Sequence, residues 1–176
     1  AIDPLSDKNR ELTATEVMRV LCRAGLAHEH APIGEAPYPV QAKRLAPDGS
    51  FTAATEPDEI GLGYRPIVTQ ISRWDRLKGF PSLMKAFGLL KERSNNPDVK
   101  LARLVLGGPD PTQVADDPEG MEVMDELKAV YASLPSSVQA DIAVVLMPQH
   151  GLMINAIQRC SSVVVQNSIR EGFGLT

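Results

Sequence analysis

The sequence predicts an α/β fold, in which a doubly wound parallel sheet of about four strands carries helices on both faces. Two observations predict it. After Pro66, short runs of valine, isoleucine and leucine alternate with longer runs whose apolar residues recur at helical spacing. At 176 residues, of which 43% are hydrophobic, the chain is long enough to bury a core without disulfides or metals.

Four strands and three helices make up this alternation. The strands are predicted at residues 67–72, 101–108, 142–147 and 163–166, and the helices at residues 80–93, 119–133 and 152–160. Strands that alternate with helices are joined by right-handed crossovers, so the sheet is expected to be parallel and Rossmann-like. Ligands of such sheets bind beyond the carboxyl ends of the strands, and candidate residues are therefore sought there.

A helix is predicted near the N-terminus, within residues 1–27. Thr13 and Glu16 have the spacing of a capping box, and apolar residues follow at helical spacing until Gly25, which is a natural helix stop. The rest of this segment is expected to be a linker.

Residues 28–66 are predicted to be an irregular insertion, because prolines and glycines interrupt every regular pattern there. Within the insertion, Pro47-Asp48-Gly49 is a turn signal that could close a small exposed hairpin between residues 40–45 and 50–54.

Composition and charge disfavour several classes of protein. The net charge is −4 and there is no block of arginine or lysine, which argues against general nucleic-acid binding. No apolar run approaches the length of a membrane span, and the acidic start lacks the features of a signal peptide. Cys22 and Cys160 are expected to be unbridged thiols of a reducing compartment, so a cytoplasmic location is predicted.

Known cofactor motifs and metal spacings are absent from the sequence. No G-x-G-x-x-G follows the first strand and no G-x-x-x-x-G-K-[ST] loop occurs, which disfavours nicotinamide dehydrogenases and P-loop proteins. His28, His30 and His150 do not form a metal-binding spacing with the cysteines. His28 and His30 are interpreted as surface residues, and His150 as a helix cap or a solvent-facing residue. No metal or organic cofactor is predicted.

Two cations follow the first predicted strand. Arg73 and Lys78 are separated by a loop that can fold them toward one point, where they could face a diphosphate leaving group. The alternative is a solvated basic loop in which Asp75 pairs with one of the arginines. Without the surrounding pattern we would favour that alternative, because exposed ion pairs are common and weak.

The ends of the next two strands carry weaker signals. Gly107 and Gly108 could bring backbone amides to a sugar or phosphate, but a turn before Pro109 is the favoured interpretation. Met147 and Pro148 end the third strand and could lend backbone groups to a base. Trp74 is expected to pack against the insertion rather than to stack on a base.

The last seven residues place a carboxylate beside glycines where a helix should start. Glu171 is followed by Gly172 and Gly174, which would let a ligand approach the main chain without meeting a Cβ atom. A glycine-rich surface turn before another helix is an equally weighted alternative.

Together, these motifs resemble the donor domain of retaining GT-B glycosyltransferases of the glycosyltransferase family 4-like type. The resemblance is carried by Ser72-Arg73-x4-Lys78-Gly79, the glycine-ended second strand and Glu171-Gly-Phe-Gly-Leu175. More narrowly, residues 2–9, 116–120 and 168–176 resemble the trehalose synthase subgroup, to which trehalose phosphorylases are related. The resemblance covers residues 1–27 and 65–176, and residues 67–176 would be a nucleotide-sugar-binding domain truncated at its C-terminus.

The resemblance implies roles for individual positions. Arg73 and Lys78 would neutralise the donor diphosphate, and Glu171 would hold hydroxyls of the transferred sugar. The remaining donor-binding positions that it implies are Gly107, Gly108, Leu146, Met147, Gly172, Phe173, Gly174 and Leu175. The implied reaction transfers glucose from a nucleotide-glucose to glucose to form trehalose, without a metal. Phosphorolysis of trehalose with inorganic phosphate is the alternative within enzymes.

Two expected parts of this family's pattern are missing from the chain. A second glutamate, needed to hold the ribose, would fall just beyond Thr176, and the acceptor-binding domain would precede Ile2. We therefore expect a fragment that does not turn over substrate alone, whose missing partner is the N-terminal domain of the same protein. A noncatalytic interaction module remains the alternative of another class, since the exposed edge of a truncated sheet could pair two copies into a homodimer.

Overall fold

The computed structural model describes residues 3–27, 35–54, 60–114, 118–148 and 150–170. Their strands are β1 (Lys43–Leu45), β2 (Phe51–Ala53), β3 (Ile67–Ile71), β4 (Arg103–Gly108), β5 (Ile142–Leu146) and β6 (Val163–Val164). Their helices are α1 (Ala14–Arg23), α2 (Phe80–Arg93), α3 (Pro97–Leu101), α4 (Pro118–Ser133), α5 (Ser136–Gln139) and α6 (Gly151–Arg159). Within the described ranges, no helix has both the length and the apolar character needed to cross a bilayer.

One six-stranded sheet, in the order β2-β1-β5-β4-β3-β6, forms the centre of the molecule. The last four strands of this order are parallel to one another, which confirms the predicted Rossmann-like α/β class. Each parallel pairing requires a crossover, and helices supply the crossovers. The parallel strands follow chain order from β3 to β5, and β6 returns to the other side of β3.

The predicted hairpin forms, but it is not a separate exposed feature. β1 pairs with β2 in antiparallel register, and β1 also pairs antiparallel with β5. Leu45 is buried in the core cluster on the α2 and α4 face of the sheet. The sheet is therefore mixed, because the hairpin covers the edge that β5 would otherwise expose.

Side chains alternate between the two faces of the central strands. Val105, Ala143 and Val145 pack with α1 and α6, whereas Leu104, Leu106 and Val144 pack with α2 and α4. This double burial explains why the central strands read as continuous apolar runs.

The second parallel strand begins two residues later than predicted. Leu101 ends the short helix α3, which starts after Asn96, whose side chain accepts a hydrogen bond from the Asp98 amide. This local capping places Leu101 in the helix and not in the predicted strand.

Both cysteines are thiols in this structure. Cys22 lies in α1 and Cys160 caps the C-terminus of α6, and neither forms a disulfide. Burial raises the pKa of the Cys160 thiol, which lowers its reactivity at neutral pH.

Candidate functional site

A cavity of about 460 Å³ opens at the carboxyl ends of the four parallel strands. It is lined by residues 71–73 at the end of β3, residues 108–109 at the end of β4, residues 147–148 after β5, and Gln166 after β6. The first turns of α6 contribute Gly151 and Ile154. This is the edge of a parallel sheet at which ligands usually bind.

Three cations line the cavity, namely Lys8, Arg73 and Lys78. None of the described lining residues is an aspartate or a glutamate. The Arg73 side chain is exposed and has no carboxylate partner among the residues that the structure describes. The cavity is therefore positively charged and suited to an anion.

Asp75 forms no ion pair with any of the residues that the structure describes. The Asp75 carboxylate accepts a hydrogen bond from the Leu77 amide at 2.7 Å and so caps a short 3₁₀ helix over residues 76–78. Arg76 turns away from the cavity and pairs with Glu122 of α4. The alternative in which Asp75 neutralises an arginine is therefore wrong.

A buried glutamine on β3 holds the loop that carries Lys78. Gln70 is only 2% exposed, and its Nε2 donates a hydrogen bond to the Lys78 carbonyl oxygen at 2.8 Å. Its Oε1 accepts a hydrogen bond from the Asn167 amide at 3.1 Å. One side chain therefore ties the loop after β3 to the segment after β6.

Asn167 reinforces this connection at Gly79. The Asn167 Nδ2 donates to the Gly79 carbonyl oxygen at 2.9 Å and to the Ser82 hydroxyl at 3.0 Å. Gly79 has a φ of 63°, and a Cβ atom there would stand 2.7 Å from the Asn167 carbonyl oxygen. Only glycine fits both the left-handed backbone and this close approach. Gly79 therefore fixes the backbone next to Lys78.

Gly107 and Gly108 are the last two residues of β4, so the favoured interpretation as a turn is wrong. Both pair with β5, and Gly107 also pairs with β3. A Cβ atom on Gly108 would lie 2.5 Å from Cε2 of Trp74 and 2.7 Å from the Ser72 carbonyl oxygen. Gly108 therefore makes room for a buried indole, and its backbone still lines the cavity.

Trp74 belongs to the core, in the same hydrophobic cluster as Leu45 of the insertion. Its side chain is 2% exposed, its ring lies 4.7 Å from that of Phe80, and its Nε1 donates to the Pro109 carbonyl oxygen at 2.6 Å. The indole is thus committed to holding the loops after β3 and β4 together.

The end of β5 contributes one of its two candidate residues to the cavity. Met147 lines it, and its amide donates to the Gly108 carbonyl oxygen at 2.9 Å. Leu146 instead packs in the core cluster on the α2 and α4 face. His150 occupies the N-cap position of α6 but makes no side-chain cap, and its ring lies 4.9 Å from that of Tyr38.

Lys8 is the lining cation to which the sequence assigned no role. It lies in a segment without helical or strand periodicity, so no local pattern could place it against the sheet. The signal available was its position within residues 2–9, one of the stretches that carried the family resemblance.

The terminal motif lies outside the described residues. Glu171, Gly172, Phe173, Gly174 and Leu175 therefore keep the roles that the resemblance implies only as predictions. The described chain that leads to them is anchored near the cavity, since the Ile169 amide donates to the Leu77 carbonyl oxygen at 2.7 Å.

A second concavity, of about 580 Å³, lies between the hairpin and the helices α4 and α5. Arg103, the first residue of β4, lines it, so this concavity stands at the amino end of the parallel strands. It is remote from the residues that the motifs selected.

Over its full length, the chain is 31% identical to a trehalose synthase from Pyrococcus horikoshii and 30% identical to one from Thermococcus litoralis. These alignments include residues 28–66, for which the motifs suggested no counterpart. The chain covers 31% and 32% of these proteins and so spans about a third of the length of the curated relatives that it matches.

The chain is also 29% identical over 130 residues to a trehalose phosphorylase from Pleurotus sajor-caju. This alignment covers 70% of the chain and 17% of the phosphorylase. No protein-family model matches the chain. The similarities support a trehalose-related, glycosyltransferase-like family.

Proposed function

We propose that this chain is the donor-binding part of a retaining GT-B glycosyltransferase, which transfers glucose from a nucleotide-glucose to glucose and forms trehalose. The observation that carries the proposal is the cavity at the carboxyl ends of the parallel strands, lined by Arg73 and Lys78. Similarity to two trehalose synthases over the whole chain supports the choice of reaction.

The proposed chemistry is electrostatic stabilisation of a leaving group. As the bond between the sugar and the phosphate breaks, negative charge grows on the nucleoside diphosphate, and fixed cations favour that state over the substrate. Arg73 offers a planar fork of donors, and Lys78 offers a compact charge on a loop that Gln70 holds in place. Because these side chains supply the positive charge, we propose that no metal is needed.

Glu171 would hold hydroxyls of the transferred glucose, and the amides from Gly172 to Gly174 would line the sugar and phosphate site. The acceptor would bind to a part of the protein that this chain does not contain, so the chain alone is expected to bind donor without turnover. The proposed location is the cytoplasm, where the thiols of Cys22 and Cys160 would persist.

Binding of nucleoside diphosphates tests the donor site directly. Calorimetry with UDP, ADP and GDP is expected to detect binding to this chain, with and without a chelator. In the double variant Arg73→Met and Lys78→Met, two charge-assisted hydrogen bonds worth about 1.5–3 kcal/mol each are lost, so the dissociation constant should rise at least about a hundredfold. An uncharged nucleoside should bind both proteins equally.

The matched control also removes one lysine and one arginine, but at positions outside the cavity. Lys85 and Arg93 are exposed on α2 and do not line the cavity. The double variant Lys85→Met and Arg93→Met is expected to bind nucleoside diphosphates as the original chain does. The donor-site assignment is wrong if the chain binds no nucleoside diphosphate. It is also wrong if the double variant at Arg73 and Lys78 binds as tightly as the original chain.

Phosphorolysis of trehalose is the second candidate, favoured by the similarity to the Pleurotus sajor-caju phosphorylase. The same cations could hold inorganic phosphate in place of a nucleotide. The whole protein should be given either nucleotide-glucose with glucose or trehalose with phosphate, and the products separated by chromatography. Glucose phosphate formed from trehalose, without nucleotide dependence, would establish the phosphorylase.

A further inference from the structure

We infer that Lys8 is a third cationic contact for the phosphate groups of the ligand, contributed by a segment that lies outside the α/β unit. The inference rests on the proposed function of the cavity, but it concerns a residue to which neither the motifs nor the family resemblance gives a role. Lys8 lines the same cavity as Arg73 and Lys78.

Close packing places the backbone of Lys8 against the start of α6. A Cβ atom on Gly151 would stand 3.1 Å from the Lys8 amide nitrogen and 3.2 Å from the Asp7 Cβ. The segment and the helix are therefore in direct contact, with no space for another side chain between them. Gly151 itself lines the cavity, so Lys8 stands at its rim.

Side chains from α6 clamp the segment on both sides of Lys8. Asn155 is 4% exposed, and its Nδ2 donates to the carbonyl oxygens of Asp7 at 3.0 Å and of Arg10 at 2.9 Å. The Arg159 Nε donates to the Asn155 Oδ1 at 2.9 Å, which fixes the orientation of the amide. A buried amide with both donors and its oxygen hydrogen-bonded favours one position for the segment.

The segment is also folded locally into a turn. The amides of Asn9 and Arg10 donate to the Ser6 carbonyl oxygen at 2.9 and 2.8 Å. The neighbouring Asp7 carboxylate lies 3.7 Å from the Arg10 Nε. The nearest acidic side chain along the segment is thus paired with Arg10, and no carboxylate of the described ranges is paired with Lys8.

Charge balance within the cavity favours an anionic ligand at this position. Three cations and no described carboxylate line it, so the cations repel one another when the site is empty, and a diphosphate relieves that repulsion. Lys8 is exposed, so solvent screens its charge and its contribution should resemble one surface charge-assisted contact.

A consequence is that ligand binding should fasten this segment to the α/β unit. The phosphate groups would bridge Lys8 to Arg73 and Lys78, which belong to the loop after β3. Trypsin cleaves after lysine and arginine, so cleavage after Lys8 should slow when UDP, ADP or GDP is bound. Cleavage after Lys85 requires α2 to open, so it should slow only as far as the ligand stabilises the whole fold. It serves as the internal reference, and cleavage after Lys8 should slow more.

The test compares Lys8→Met, Arg73→Met and Lys85→Met in this chain, with UDP, ADP, GDP and an uncharged nucleoside as probes. Lys8→Met is expected to raise the dissociation constant of the diphosphates about three- to tenfold, to leave nucleoside binding unchanged, and to reduce the salt dependence of binding. Lys8→Arg should retain most of the affinity. Thermal unfolding should confirm that the variants fold alike.

The possible outcomes separate this inference from the proposed function. If Arg73→Met weakens diphosphate binding and Lys8→Met does not, the role of Lys8 is overturned and the donor site stands. If Lys8→Met weakens nucleoside and diphosphate binding equally, Lys8 acts by shaping the cavity and the inference also fails. If the original chain binds no diphosphate, the proposed function fails and the inference fails with it.

Discussion

Lys78 and Lys8 face the same cavity, but the two regions that carry them are held in different ways. The Lys78 loop is fastened to the centre of the sheet, through Gln70 on β3 and through the Gly79–Asn167 contact. The segment that carries Lys8 lies beside the sheet and is held by side chains that reach out from α6.

The cavity therefore combines two halves. The rigid half is the loop around Lys78 with the strands that hold it, and the separable half is residues 3–10, which can detach without unfolding the sheet. Changes near Gln70 or Gly108 disturb buried strands, so they should affect global stability and ligand binding together. Changes at the clamp should release only residues 3–10, because no described strand depends on that segment. Local opening of this kind costs less free energy than global unfolding.

The largest effect is expected for Gly108→Ala, in the rigid half. The added Cβ atom would overlap the Trp74 indole and the Ser72 carbonyl oxygen, both of which are held in place. Overpacking of this kind should lower the free energy of unfolding by about 3 kcal/mol. Chemical denaturation followed by the fluorescence of the single tryptophan measures it.

Gly107→Ala is the matched comparison for that variant. Its Cβ atom would meet the Met147 sulfur at 3.0 Å and the Ile71 Cγ1 at 3.2 Å. The methionine is flexible and the isoleucine need shift by only a few tenths of an ångström, so a smaller loss of stability is expected. A loss of stability as large as that of Gly108→Ala would show that the Trp74 contact is not the cause.

The next largest effect is expected for Gln70→Leu. Leucine is of similar size to glutamine but cannot form hydrogen bonds. The substitution removes the bonds of Gln70 to the Lys78 carbonyl oxygen and to the Asn167 backbone amide, which should cost about 2 kcal/mol. Affinity for UDP, ADP or GDP should fall as well, because Lys78 loses its fixed position. Thermal unfolding and calorimetry report the two effects.

Thr69→Val separates stability from positioning. Thr69 is fully buried on the same strand, and its hydroxyl donates to the Val105 carbonyl oxygen at 2.9 Å, away from the cavity. This variant is expected to lose stability while keeping its affinity for diphosphates. Equal losses of affinity in Gln70→Leu and Thr69→Val would argue against a positioning role for Gln70.

A smaller and local effect is expected for Asn155→Leu, in the separable half. Loss of its hydrogen bonds to the Asp7 and Arg10 carbonyl oxygens should free the segment, so that trypsin cleaves after Lys8 several-fold faster. Global stability should fall by only about 1 kcal/mol. Gln158→Ala, on the same helix, is the control. If it speeds cleavage after Lys8 as much as Asn155→Leu does, Asn155 is not what holds the segment.

The smallest effect concerns the contact of this segment with α1. Hydrogen bonds from the Thr13 backbone and side chain, and then from Arg10, lower the pKa of Glu16 from 4.5 to about 2. A lowered pKa in the folded state adds stability above pH 4.5, which is lost as the pH falls toward 2. Glu16→Gln should therefore lower the melting temperature slightly at pH 7.

The pH series supplies the check on that prediction. The difference in melting temperature between Glu16→Gln and the original chain should shrink between about pH 4.5 and pH 2. A difference that stays constant over this range would mean that the charge of Glu16 does not act through its hydrogen bonds to Thr13 and Arg10.

Local patterns in the sequence determined most of the secondary structure. Helix α2 has the predicted bounds of residues 80–93, because its apolar spacing and its start after Gly79 are encoded within a few neighbouring residues. The hairpin follows in the same way from its turn residues. Arg73 and Lys78 could also be selected, since they sit at the end of a strand whose position the apolar run revealed.

Contacts between distant residues decided the rest. The pairing of β1 with β5, the space that Gly108 leaves for Trp74, and the placement of Lys8 by Asn155 each join positions far apart in the chain. The local sequence around a glycine or a lysine does not show which distant residues it will contact, because close packing and hydrogen-bond geometry exist only once the elements have docked. The sequence by itself therefore determined most of the elements and two cations of the candidate site, and the tertiary structure brought the third cation to it.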